Sequence, residues 1–156
     1  MNTKDYLNEY VMTADKHVVV LEKALKKVLR FVPYDSHKLE NCSDDDVTSL
    51  DSITLRFSKL QDLIGSKIFP ILLNIYGQDS PDQTFIDKLN KLEKLNFLES
   101  AHIWRVLRDF RNNIADEYSL YSEKLSGKIN EVIKGSMFLV SYWKELKQKI
   151  EKIEVQ

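Results

Sequence analysis

Hydrophobic positions in this chain recur every three or four residues over long stretches, and almost nowhere in strict alternation. From about Lys4 to Phe31, the residues Tyr6, Tyr10, Ala14, Val18, Leu21, Leu25, Val28 and Leu29 share one face, which predicts an amphipathic helix. Val32-Pro33 ends it, because a residue before proline is driven out of the helical region. Tyr34 to Cys42 reads as a polar connection. Ser43 then has the form of an N-cap, with Asp46 three positions on as a short capping-box partner. A second helix is expected over about Asp44 to Tyr76, with a stripe of Val47, Leu50, Phe57, Leu60, Ile64, Ile68, Ile71 and Ile75. Pro70 lies inside it and is expected to bend it, and Gly77 supplies its end. A third helix, about Asp82 to Asn96, carries Phe85, Leu89, Leu92 and Leu95. Ser100 caps a fourth, which carries Ile103, Val106, Leu107, Phe110 and Ile114. A fifth, about Ser122 to Ile153, carries Leu125, Ile129, Ile133, Val140, Trp143, Leu146 and Ile150. Short connections make consecutive helices antiparallel neighbours. The expected fold is therefore all-α: an up-and-down bundle of about five helices in one domain, residues 1–156.

Composition agrees with that picture and narrows the function. The 156 residues include only 4 glycines and 3 prolines, so few helix breakers are present. Hydrophobic residues make up 43% and charged residues 30%, the balance of a folded protein and not of a disordered one. At this length a fold buries about 70% of its unfolded surface, so no disulfide or metal staple is required. The net charge of -1 gives no global pull towards nucleic acid or anionic lipid, and any such contact must come from a local patch. Cys42 is the only cysteine, which suits a reducing cytoplasm. The first residues, Met1 to Tyr6, hold charges and no apolar segment, so a signal peptide is not expected, and no apolar run is long enough for a membrane span.

Most familiar chemistry has no footing here. The chain has no glycine-rich phosphate loop, no cysteine pair, no His-x-x-x-His and no Gly-x-Ser-x-Gly, so neither a cofactor nor a metal is expected. His17, His37 and His102 sit in different elements, and metal sites need clustered ligands. Asp44-Asp-Asp46 lacks the spacing of a calcium loop and fits a helix start favoured by the macrodipole.

The segment Arg108 to Tyr118 is different. On a helix of about 100° per residue, Arg108, Asn112 and Asp116 form one stripe, and Arg111 and Tyr118 share a second face. Trp104 and Arg105 extend the aromatic and basic character one turn back. Guanidinium forks suit phosphate recognition, and an aromatic ring can stack on a base. A plainer reading is a solvated helix face supported by i,i+4 pairs.

The same segment resembles the signature of the HEPN superfamily: an arginine, a polar residue, and a histidine a few positions on near a helix end. Arg111 and Asn112 match the first part, and Tyr118 matches a tyrosine found two positions after the histidine in one branch. Asp116 occupies the histidine position. Further blocks, Arg56 to Asp62, Lys67 to Pro70, Phe85 to Leu89, Leu92 to Leu95, and Trp104, are similar to the nucleotidyltransferase substrate-binding proteins of that superfamily. The resemblance spans about Leu50 to Tyr118. It implies a helical homodimer formed through the motif helices, with a minimal nucleotidyltransferase encoded nearby, the two acting as a toxin–antitoxin-like pair. It also implies that the arginine and histidine of active members cut RNA, and that the tyrosine of one branch receives AMP from the nucleotidyltransferase.

Asp116 bears directly on that expectation. A general acid–base group works best with a pKa near the working pH, which histidine offers and an ordinary aspartate, titrating at about 4, does not. Three readings follow. The first is a partner-binding subunit with a degenerate motif at Arg111, Asn112 and Asp116, contacts from Trp104, Arg105 and Arg108, and Tyr118 as a modification candidate. The second is a ribonuclease with an altered site. The third is a generic helical oligomer.

Overall fold

The computed structural model describes residues 2–115 and 123–155, and all the secondary structure there is helical. Helix α1 (Thr3–Val28) begins one residue before the expected Lys4, because Asn2 and Asp5 form a capping box: the Asn2 side chain accepts from the Asp5 N–H, and Asp5 accepts from the Asn2 N–H. It tightens into a 3₁₀ turn, Leu29–Phe31, before the cis Val32-Pro33 bond. The polar connection of Tyr34 to Cys42 contains a five-residue helix, α2 (Ser36–Glu40), capped by Asp35. One turn carries no readable period, so only the cap could have signalled it.

Helix α3 (Asp44–Leu63) starts at Ser43, whose Oγ accepts from the Asp46 N–H at 3.1 Å. The bend expected at Pro70 is resolved one turn earlier. Residues Ile64–Ile68 form a π turn, and α4 (Phe69–Ile75) continues from it with Pro70 in its first turn. Proline has no N–H to donate and crowds the preceding turn, and widening that turn lets the chain continue. Gly77 has φ 67°, and Gln78 donates back to the Leu73 carbonyl, so the left-handed cap expected at Gly77 is present. Helix α5 (Phe85–Lys94) begins later than expected, at the capping box of Thr84 and Asp87. Its end uses Asn96 at φ 64°, with Phe97 donating to the Leu92 carbonyl. Helix α6 (Ala101–Ala115) is started by Ser100, which accepts from the Ile103 N–H, and by the Glu93 carboxylate, which accepts from the Ala101 N–H at 2.9 Å. Helix α7 (Glu123–Val155) is the longest element.

Side-chain contacts set the helix directions. Asp15 meets Lys147 and Glu22 meets Lys144, so α1 and α7 run antiparallel. Trp104 meets Tyr142 while Leu107 and Phe110 lie against Gly135, so α6 and α7 are antiparallel too. Arg111 reaches Gln61 and Trp104 reaches Phe69, which runs α6 against the α3–α4 rod. The four long segments thus alternate up, down, up and down, and α5 packs beside α4 and α6. Helices approach closely at Gly135, where a Cβ would lie 3.1 Å from Phe57 and 3.2 Å from Leu107 and Phe110. Buried apolar side chains from every long helix form a single cluster around Phe57, Trp104 and Trp143. Tyr6, Leu29, Val47 and Ile75, expected on core stripes, are exposed, whereas Leu7, Ala24 and Ile53 take core positions beside them.

Candidate functional site

Arg111 is the best-anchored of the predicted site residues. Its Nη1 donates to Gln61 Oε1 at 2.6 Å and lies 3.4 Å from Asp62 Oδ1, while Nε and Nη2 donate to Asn112 Oδ1 at 3.3 and 3.2 Å. Gln61 is only 2% exposed, so its amide is a fixed acceptor, whereas the Asp62 side chain is 67% exposed and adds little more than orientation. The arginine–asparagine pair of the motif is therefore one hydrogen-bonded unit, oriented by α3.

Arg108 lies one turn back and is exposed. Its guanidinium carbon sits 4.5 Å from the centroid of the Phe85 ring, a cation–π contact that ties α6 to the first turn of α5. It separates two clefts. One, of about 310 Å³, is lined by Gln61, Gly65, Phe85, Lys88, Arg108 and Arg111 among others. The second, of about 370 Å³, includes Thr84, Phe85, Arg105, Arg108 and Asn112. The stripe of Arg108 and Asn112 is thus real as a cleft wall, but Arg108 also joins Arg111, which spacing alone had put on a separate face. Among the described residues, no carboxylate pairs with Lys88, Arg105 or Arg108 within 4 Å.

Trp104 does not belong to this surface. It is 0% exposed, with its ring 4.8 Å from Phe69 and 5.8 Å from Tyr142, so it cannot stack on an external base. The expectation that it would bind a ligand is corrected for a packing reason: α6 lies between α4 and α7, and position 104 points into both. Its Nε1 is buried with no hydrogen-bond partner, and a Cβ on Gly65 would lie 3.4 Å away. Asp116 and Tyr118 lie outside the described residues.

Gln61, Gly65, Phe85 and Lys88 complete the site and were not singled out as site residues from the sequence. Gln61 was findable: it interrupts the apolar stripe of Phe57, Leu60, Ile64 and Ile68, and a glutamine on a core stripe needs a partner. Among the described residues, no three His, Cys, Asp or Glu side chains come together to hold a metal ion, and no helix is long and apolar enough to cross a membrane.

Arg56, in the first block of the family resemblance, contacts His17 Nδ1 through Nη1 at 3.0 Å. The guanidinium can only donate, so this ring nitrogen must accept and the imidazole is neutral. Desolvation, then Arg56, then Lys59 hold the His17 pKa below its ordinary 6.5. A lowered pKa contributes stability that is present above the unfolded value and lost as pH falls. Thermal unfolding should therefore show a lower Tm at pH 5.5 than at pH 7.5, with the difference reduced in His17→Gln. An equal difference in that variant would remove His17 as its source.

Comparison with protein-family models, with curated proteins and with solved structures found no match to this chain.

Proposed function

We propose that the chain is the helical partner subunit of a minimal nucleotidyltransferase, in a toxin–antitoxin-like pair, with a degenerate HEPN motif. The observation that carries this reading is the tethering of Arg111. Gln61, Asp62 and Asn112 hold three of its nitrogens, so the motif arginine acts as a fixed surface group oriented by its own fold. A ribonuclease would need a proton-transfer group of suitable pKa, and the sequence has Asp116 at the position where the motif has histidine. The cations next to Arg111 lack carboxylate partners among the described residues, which suits docking against an acidic surface. Homodimerisation through the motif helices, a cytoplasmic location and AMP transfer to Tyr118 belong to the same proposal.

A tagged pull-down from the native host tests it. A nucleotidyltransferase should co-elute, Arg105→Glu should cut its recovery by about tenfold or more through like-charge repulsion, and a bait mass raised by AMP should return to normal in Tyr118→Phe. Cleavage of RNA by the pure protein at a rate lost in Arg111→Ala would replace this reading with the ribonuclease one. A bait without a nucleotidyltransferase would reject the pairing.

A further inference from the structure

Away from the candidate site, the outward face of α1 carries a second concentration of charge. Met12, Lys16, Val19, Lys23, Lys26 and Arg30 recur at alternating spacings of four and three, so they form one stripe along the helix and its last turn, with Lys27 beside it. All of these side chains are exposed, Met12 at 61% and Val19 at 52%. At about 1.5 Å per residue, the cations from Lys16 to Arg30 cover about 21 Å.

The charge of this stripe is one-sided. Glu22 is the only carboxylate between Lys16 and Arg30, and it is turned to Lys144 of α7 at 3.3 Å. Asp15 is turned to Lys147 in the same way. Among the described residues no carboxylate pairs with Lys16, Lys23, Lys26, Lys27 or Arg30, and Arg30 lies over the Phe31 ring. The edge towards α3 adds no opposing charge, because Arg56 and Lys59 stand beside His17 there. The helix macrodipole accounts for Lys26 and Lys27 in the last turn of α1, but its effect fades within that turn and does not reach Lys16 or Lys23. Carboxylates return only at the two ends, with Asp5 and Glu9 early in α1 and Asp46 near Tyr34. A chain with a net charge of -1 thus holds a local basic surface on one side of one helix.

We propose that this stripe docks on an anionic lipid bilayer, with α1 lying along the membrane surface. The bilayer presents a smeared negative charge, which suits a row of lysine ammonium groups. Lysine stems let those groups reach the headgroups while Met12 and Val19 rest against the acyl boundary. Nucleic acid would match the cations but not the two aliphatic side chains set between them. The stripe also offers no aromatic, amide or hydroxyl side chain to a base or sugar. The contact is peripheral, since among the described residues no helix is long and apolar enough to cross a membrane. It uses neither Arg111 nor the nucleotidyltransferase pairing, so the two readings stand or fall separately.

The test is co-sedimentation of the purified full chain with vesicles of phosphatidylcholine alone and of phosphatidylcholine mixed with phosphatidylglycerol. The mixed vesicles should bind the protein, the neutral ones should not, and added salt should weaken binding. The double variant Lys23→Gln, Lys26→Gln should bind about thirtyfold more weakly, the scale of two charges near an anionic surface. A control of equal net charge, Lys94→Gln with Lys134→Gln, removes exposed lysines from α5 and α7 and should bind as the parent does. All four lysines are exposed, so unfolding curves should match the parent. Val19→Ser keeps every charge and should still weaken vesicle binding, a loss that a purely electrostatic contact would not show. No binding to the mixed vesicles, equal binding to the neutral ones, or equal losses in the stripe and control variants overturns the proposal. Binding of duplex RNA in place of vesicles, with the same sensitivity to Lys23 and Lys26, reassigns the stripe to nucleic acid and overturns it as well.

Discussion

Trp104→Ala is expected to destabilise the protein by about 3–5 kcal/mol, the range for removing a large buried aromatic ring. The ring fills the junction of α4, α6 and α7 between Phe69 and Tyr142, and it has no exposed surface. Truncation would remove the tilted ring contacts with both Phe69 and Tyr142 at once and leave a cavity that three helix backbones cannot easily close. Trp104→Phe should cost much less, because most of the apolar contact is kept and an unsatisfied indole N–H is removed from the interior. Urea unfolding of the two variants measures the contrast. If Trp104→Ala cost less than about 1 kcal/mol, well below the range for a buried aromatic, Trp104 would have to be returned to the surface and to ligand contact.

The second large effect is expected at Asp15. One carboxylate oxygen accepts from Trp143 Nε1 at 2.9 Å and the other from Lys147 Nζ at 2.7 Å, joining α1 to α7. Trp143 is buried, so Asp15→Ala strands its N–H without an acceptor, at a cost of about 1–3 kcal/mol. The Lys147 contact is partly solvated and contributes less. Asp15→Asn keeps a neutral acceptor for the indole and should retain most of the stability. Equal losses in the two variants would place the effect in the charge and not in the indole hydrogen bond.

The same pair shapes the alkaline limb of stability. The hydrogen bond to Asp15 raises the Lys147 pKa above its ordinary 10.5, desolvation opposes it, and the charges of Asp15 and Glu151 add to the rise. A raised pKa contributes stability that is fully present below the unfolded value and is lost as pH climbs through the folded one. Burial pushes the Tyr34 hydroxyl up to about 12, and Tyr142, which donates to the Phe97 carbonyl at 2.6 Å, is raised by burial as well. All three act in the same direction, so the protein should lose stability steadily above about pH 10, where these groups begin to titrate in the unfolded chain. Asp15→Ala should flatten the part due to Lys147.

How far the sequence could be read depended on whether a feature was local. Ser43, Gly77 and Ser100 were legible as helix punctuation, because a cap needs only its own few residues to satisfy free backbone groups. The long amphipathic stripes gave the all-α class for the same reason: periodicity is a property of one segment. The π turn was legible only as a disturbance at Pro70, since the turn that yields is chosen by what lies around Ile64 to Ile68. Leu107 and Ile114 were expected on the apolar stripe of α6 and are buried, but the burial of Trp104 was not legible: packing against both Phe69 and Tyr142 turned that position inward.

The candidate site divides along the same line. Its arginines, its asparagine and their helix were visible in the chain, because helical spacing alone lets side chains one turn apart share a surface. The tertiary structure decided what they do there: it gave Arg111 its anchors on α3, set Arg108 on Phe85, added Lys88 and removed Trp104. Those partners lie far away in sequence, and the pattern of any one helix holds no information about which side chains a neighbouring helix will present to it. Sequence by itself determined the helices and the chemistry they carry; only packing determined which of those groups meet.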